Sequence, residues 1–345
     1  MHSPNGRTPT KAELLPTAAV EAFLDAHAIG FGPVEATRIG DGASNLTYLI
    51  ERQGARVVLR RPPPPPLPPS AHDMVREARV QIGLRRAGVR VPRVLATCED
   101  EAVLGVPFYV MEEIDGVIIA DQLPEALEHD EERRRLGFEL VDALVDLHAV
   151  DWQASGLEGI GKPSGYLERQ LRRWLGLWDI NATRELQVCQ EVGERLRATV
   201  PESPPTTVVH GDYRLGNILV GRDAPARVVA ILDWEMATLG DPLADLGYLT
   251  VTWSEAGTAE HPMLMGPVTA GPGFPGRDEL VGRYAERTGR DVSGLEWYQA
   301  FALWKASVFC EAIYGRYLQG QRDDMWAASL CDGVPRLLEV ADAYL

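Results

Sequence analysis

Val208-Val209-His210-Gly211-Asp212-Tyr213-Arg214-Leu215-Gly216-Asn217-Ile218-Leu219-Val220 is a polar loop held between two apolar, strand-like runs, and a loop so placed presents its side chains for binding or chemistry. A third apolar run, residues 228–232, leads into Asp233-Trp234-Glu235. If the runs flanking that connection pair, Asp233 stands beside the loop, and two carboxylates converge with one amide. Phosphoryl transfer uses such a set: a base at the acceptor hydroxyl, oxygen ligands for Mg²⁺, and a cation on the nucleotide phosphates. Asp212 is then the candidate base, with Asn217 and Asp233 as metal ligands. His210 braces the loop on this reading and moves no proton.

Working outward, short antiparallel strands are predicted at residues 34–39, 46–51 and 56–60, with turns at Gly40-Asp41-Gly42 and Gln53-Gly54. A helix over 12–28 precedes them. The prolines within 62–69 exclude helix and central strand, so this stretch reads as a stiff connector, with a polyproline ligand as the alternative. A helix over 72–86, an extended segment at 92–96 and a strand over 107–114 follow. Past residue 114 the pattern changes to long helices at 130–149, 165–178 and 185–198, strand-like runs around the quoted loop, and a helical tail from 277. Strands first and helices later give an α+β class, with a first lobe over 1–114 and a second over 115–345.

A chain of 345 residues with 45% apolar and 24% charged residues can bury a full core. The net charge of -16 disfavours nucleic acid as the principal partner, because such binding rests on clustered Lys and Arg. Only Lys11, Lys162 and Lys305 are lysines. The scattered Cys98, Cys189, Cys310 and Cys331 form no C-x-x-C pair and read as buried thiols, and no apolar run is long enough for a membrane span. A cytoplasmic setting with no membrane partner is the expectation. Neither G-x-S-x-G nor G-x-x-x-x-G-K-[ST] occurs, which sets aside serine hydrolases of that type and P-loop kinases.

The order H-G-D-x-x-x-x-N (His210 to Asn217), Ile231-Leu232-Asp233-Trp234-Glu235 and Gly240-Asp241-Pro242-Leu243-Ala244-Asp245-Leu246 resembles the aminoglycoside phosphotransferase-like kinases. They share a fold with protein, choline and fructosamine kinases. The resemblance covers nearly the whole chain and implies a bilobal, protein-kinase-like fold, with a small antiparallel-sheet N-lobe and a larger, mainly helical C-lobe. It implies ATP and Mg²⁺ as cofactors and a small molecule bearing a hydroxyl as substrate. Asp245 would brace the catalytic loop. Residues 109–114 look like the hinge strand, whose Glu112 and Ile114 backbone atoms would bond adenine, with Met111 as gatekeeper. The family's third strand usually ends in a phosphate-holding lysine, and Val57-Val58-Leu59-Arg60 fills that place here. By period-two alternation Val58 and Arg60 share a face, so if Val58 roofs adenine Arg60 reaches the phosphates and Arg61 points away. Arginine keeps the charge but changes reach and geometry. Glu77 is the expected partner of Arg60; a solvated Glu between Arg76 and Arg79 is the alternative. Ser44 and Asn45 lie where a nucleotide-covering loop would be, although an ordinary hairpin turn explains Gly40 to Gly42 equally well.

The aromatic residues Trp174, Trp178, Trp253, Trp297, Trp304, Tyr314 and Tyr317 have the spacing of helix cores, with substrate contact as the second reading. His148 reads as a packing position. V-L-R-R-P-P, H-G-D-Y-R-L-x-N and W-Y-x-A-F look closest to the branch that animals fuse to acyl-CoA dehydrogenase-like domains, which implies a hydroxylated acyl compound or other small alcohol as acceptor. Aminoglycosides, being polycations, call for a dense acidic patch that the tail lacks. Two functions remain from sequence: an active small-molecule kinase, and a weakly catalytic nucleotide-binding protein acting through partners.

Overall fold

The computed structural model describes residues 14–40, 45–64, 72–264 and 266–345, and contacts divide the chain into two units, Met1–Asp115 and Gly116–Leu345. The first unit is built on a five-stranded antiparallel sheet ordered β1-β2-β3-β5-β4. Its strands are β1 (Phe31–Ile39), β2 (Leu46–Gln53), β3 (Ala55–Arg61), β4 (Val94–Cys98) and β5 (Phe108–Glu112). Alternation gives the sheet two faces. Val57, Leu59, Phe108 and Val110 join Tyr48 and Ile50 in one cluster with Val20 and Leu24 of α1 (Thr17–Ala26). Val58, Tyr109 and Met111 occupy the other face, against Met74 and Ala78 of α2 (Met74–Arg86).

The ends of these elements follow local chemistry. Within the helix expected over 12–28, α1 starts at Thr17 behind Pro16, which occupies its N-cap position and disfavours helix in the residue before it; residues 12 and 13 lie outside the described residues. The Asp73 carboxylate caps α2 by accepting from the Arg76 amide at 2.9 Å. A short helix, α3 (Glu101–Leu104), was not anticipated; Asp100 caps its start and Gly105, at φ 75°, ends it. Ser44 and most of the proline run lie outside the described residues.

The second unit holds α4 (Asp130–His148), α5 (Tyr166–Asn181), α6 (Gln187–Ala198), α7 (Leu243–Thr252), α8 (Arg277–Thr288), α9 (Leu295–Leu318) and α10 (Met325–Asp342). α9 is its core element, buried on most sides and packed against α5, α6, α7 and α10. Trp297 donates to the Leu196 carbonyl at 3.2 Å and Trp304 to that of Cys189 at 2.9 Å. Each indole thus satisfies its N–H while filling core volume, as the periodicity predicted. Gly247 lets α7 approach α9 closely: a Cβ there would lie 3.0 Å from the Tyr298 carbonyl oxygen. Two small antiparallel sheets complete the unit: β6 (Val117–Ile118), β8 (Ile218–Val220) and β9 (Val228–Ile231), and separately β7 (Thr207–Val209) with β10 (Thr238–Gly240). Among the described residues, no helix is long and apolar enough to cross a membrane.

Candidate active site

β7 leads into His210 and β8 begins at Ile218, so the polar loop connects the two small sheets of the second unit. The hairpin β8–β9 pairs Ile218 with Ile231, and the Leu232 amide donates to the Asn217 carbonyl at 2.9 Å. This pairing places Asp233 next to the loop's end, as the sequence condition required. Asp233 has φ 65°, a left-handed conformation that a non-glycine residue adopts only at a cost, and one that recurs at functional turns.

Asn217 donates its side-chain N–H to Asp212 Oδ2 at 2.7 Å and to the Asp212 carbonyl at 2.8 Å. Because the amide nitrogen is committed to Asp212, the Asn217 Oδ1 atom points away from that carboxylate. Arg214 Nε lies 3.4 Å from Asp212 Oδ1. Burial works against the Arg214 charge, but Asp212 and neighbouring Tyr248 outweigh it and hold this guanidinium above its ordinary value. For Tyr248, burial and then the Asp212 charge push the phenol well above its ordinary value, so it stays a donor.

Oxygen donors are what Mg²⁺ requires, and it commonly takes only one or two protein ligands beside water and phosphate oxygens. Asn217 Oδ1 and the Asp233 carboxylate fit that demand by chemistry and by their placement on one hairpin. No cluster of three or more His, Cys, Asp or Glu suited to a metal occurs among the described residues.

The loop is held from behind by buried side chains. Asp245 accepts from the His210 amide at 2.6 Å and the Gly211 amide at 2.8 Å, and His148 Nε2 lies 3.3 Å from it. Burial raises the Asp245 carboxyl, yet the hydrogen bond and charge of His148 and the His210 contacts carry it below the ordinary carboxylate value. His148 also meets the Tyr284 phenol at 2.8 Å, so the expected packing residue is an orienting one. His210 Nε2 lies 2.8 Å from the Leu232 carbonyl, and its Nδ1 accepts from the Asp212 amide at 3.2 Å. A neutral ring protonated on Nε2 satisfies both contacts. Asp241, from the same G-D-P run as Asp245, accepts from the Tyr298 phenol at 2.7 Å, which joins two of the quoted motifs.

In the first unit, Arg60 Nε lies 3.1 Å from Glu77 Oε1, the Tyr109 phenol donates to that oxygen at 3.1 Å, and Gln81 donates to Tyr109 at 2.7 Å. The Glu77 side chain is only 1% exposed, which rules out the solvated alternative. Burial and the Glu77 charge push the Tyr109 phenol well above its ordinary value. Arg61 turns to the other face and donates to the Leu14 and Pro62 carbonyls. Val58 pairs with Met111 and Arg60 with Tyr109, so all four share one face. Asn45 is buried with Oδ1 2.9 Å from His72 Nδ1. The Glu112 amide donates to the Arg93 carbonyl at 2.9 Å, and Ile114 follows the end of β5.

Sequence reading assigned no role to Tyr109, Gln81, Arg214, Tyr248 or Lys305. Tyr109 was visible as the period-two companion of Met111, and Arg214 and Tyr248 lie within or just beyond the quoted motifs. Lys305 had the weakest signal, its rarity.

The profile of the family described as "Phosphotransferase enzyme family" (APH) matches residues 35–299. The chain is 34% identical over 327 residues to mouse acyl-CoA dehydrogenase family member 10, covering 92% of this chain but 30% of that protein. It therefore spans under a third of that relative's length. A Ralstonia eutropha crystal structure carrying a provisional aminoglycoside phosphotransferase name superposes with a TM-score of 0.81 at 31% identity, over 95% of this chain and 97% of that one. The GDP complex of aminoglycoside 2'-phosphotransferase-IIIa gives a TM-score of 0.59 at 15% identity, over 95% and 98% of the two chains, which bears on the fold alone. With about three-quarters of its length matched by that profile, this chain belongs to the phosphotransferase enzyme family.

Proposed function

We propose that this protein is an ATP-dependent O-kinase that transfers the γ-phosphoryl group to a hydroxyl of a small molecule, with a hydroxylated acyl compound as the first acceptor class to test. One observation carries the reading: the hydrogen-bonded Asp212–Asn217 pair, with Asp233 delivered beside it by the β8–β9 hairpin. Asp212 accepts the acceptor's proton as the new bond forms, and Arg214 balances the charge of its carboxylate. Asn217 and Asp233 would hold Mg²⁺, which would supply positive charge to offset that of the phosphate oxygens.

Residues 1–114 supply nucleotide binding in this reading, and 115–345 supply catalysis and the acceptor site. Arg60, fixed by Glu77, holds nucleotide phosphate. Val58 and Met111 offer the apolar surface for adenine. With the Glu112 amide engaged by Arg93, the base bonds the Glu112 carbonyl and the Ile114 amide. Asn45, and Ser44 before it in sequence, are assigned to the nucleotide phosphates in this reading. Cations, Arg214 and Lys305, adjoin Asp212, which disfavours a polycationic aminoglycoside as acceptor.

The test is Mg²⁺-dependent ATP consumption against hydroxylated acyl compounds, amino alcohols, sugars and aminoglycosides, with Asp212→Asn as control. Turnover on one class that falls about 10²- to 10⁴-fold in the variant, with Mg·ATP binding retained, is expected. Full activity in Asp212→Asn would remove Asp212 as the base.

A further inference from the structure

Lysine is nearly absent from this chain, yet one of its three lysines lies against the catalytic loop. Lys305 is on α9 between the buried Trp304 and Ala306, and its Nζ donates to the Gly211 carbonyl at 3.2 Å. The ammonium lies 5.8 Å from the ring centre of Trp174 and 5.5 Å from that of Tyr248, within cation–π range of both. Burial pushes Lys305 below its ordinary value, Asp212 and Asp245 draw it back up, and Arg173 opposes them.

The carbonyl that Lys305 holds belongs to the peptide joining Gly211 to Asp212. The N–H of the same peptide donates to His210 Nδ1 at 3.2 Å. Both polar atoms of one peptide plane are therefore fixed by side chains, and that plane aims the Asp212 Cα–Cβ bond. Gly211 takes φ 84°, a conformation that a Cβ would strain, so the backbone here has few residue types that suit it. The ammonium stands over the ring of Tyr248, whose phenol burial and then the Asp212 charge push well above its ordinary value. A compact ammonium suits this seat better than a planar guanidinium, which fits the exception to the chain's preference for arginine.

We propose that Lys305 is a positioning residue for Asp212: it fixes the Gly211–Asp212 peptide through the Gly211 carbonyl, and the Trp174 and Tyr248 rings hold its ammonium in that place. The effect on catalysis rests on Asp212 being the base, whereas the hold on the peptide does not. Two variants of the full chain test it. Lys305→Met removes donor and charge with similar volume; Lys305→Arg keeps the charge and displaces the donor. Deuterium uptake is followed without ligand over residues 208–220 and over α9. Mg·ATP consumption is followed with the best acceptor from the panel, or with water if none reacts.

The expected result is faster exchange at 208–220 in Lys305→Met, unchanged exchange in α9, and a kcat about ten- to a hundred-fold lower at unchanged KM for ATP. Lys305→Arg should recover part of both. If Lys305→Met does not fold, Lys305→Arg decides, with the same signs and smaller size. Unchanged exchange at 208–220 overturns the proposal even in an active kinase, and so does faster exchange with kcat intact. A wild-type chain that consumes no Mg·ATP refutes the kinase reading instead; faster exchange in the variants would still establish the hold on the peptide.

Discussion

Asp245 does two jobs with one carboxylate, accepting two consecutive amides with separate oxygens. Asparagine cannot replace it, because its NH₂ would face an N–H and leave a buried donor without an acceptor. Asp245→Asn should therefore cost about 1–3 kcal/mol in urea unfolding. An unchanged midpoint would mean that the loop's amides find other acceptors. The residues proposed to act directly were legible for a related reason. Asp212, Asn217 and Asp233 stand at polar breaks between apolar runs, and a sequence shows such contrast. His148 did not stand out, since one histidine at a helix end looks alike whether it packs idly or meets a buried aspartate.

The pairing of Arg60 with Glu77 links β3 to α2 through one buried oxygen that Tyr109 of β5 shares. Removing the carboxylate leaves a guanidinium and a phenol without it inside the sheet-helix layer. Glu77→Ala should cost about 3 kcal/mol, read as a lower denaturation midpoint, because breaking a buried pair from one side strands the other charge. A loss no larger than that of an exposed Glu→Ala control would show the pair to be dispensable. Strand alternation made this face predictable as far as Val58 and Arg60, and the α+β order was readable from where periodicity changed. The partners of the strands were less accessible. β7 pairs with β10, a strand of three residues that carries too little pattern to be noticed. α7 was hidden too: its first residues read as a motif, and its buried, all-round apolar surface lacks the stripe that marks a helix.

Histidine makes the chain's stability depend on pH in one direction. Burial lowers His148, burial and then Arg60 lower His72, and burial with Arg277 and Arg336 lowers His261 from 6.5 to about 4. Between those two values the unfolded chain takes up a proton at His261 that the folded chain refuses, so stability rises with pH across that window and falls on acidification. The urea midpoint should drop from pH 7.5 towards pH 5, and His261→Gln should flatten part of the slope; a flat profile in the parent protein would contradict these environments. The scarcity of lysine has a practical corollary. A protease that cleaves after lysine has three possible sites, Lys11, exposed Lys162 and Lys305, and the last lies within α9 with its ammonium against two aromatic rings. Cutting there requires that helix to unwind, so the rate of nicking after Lys305 is a built-in reporter of how often the core helix of the second unit opens.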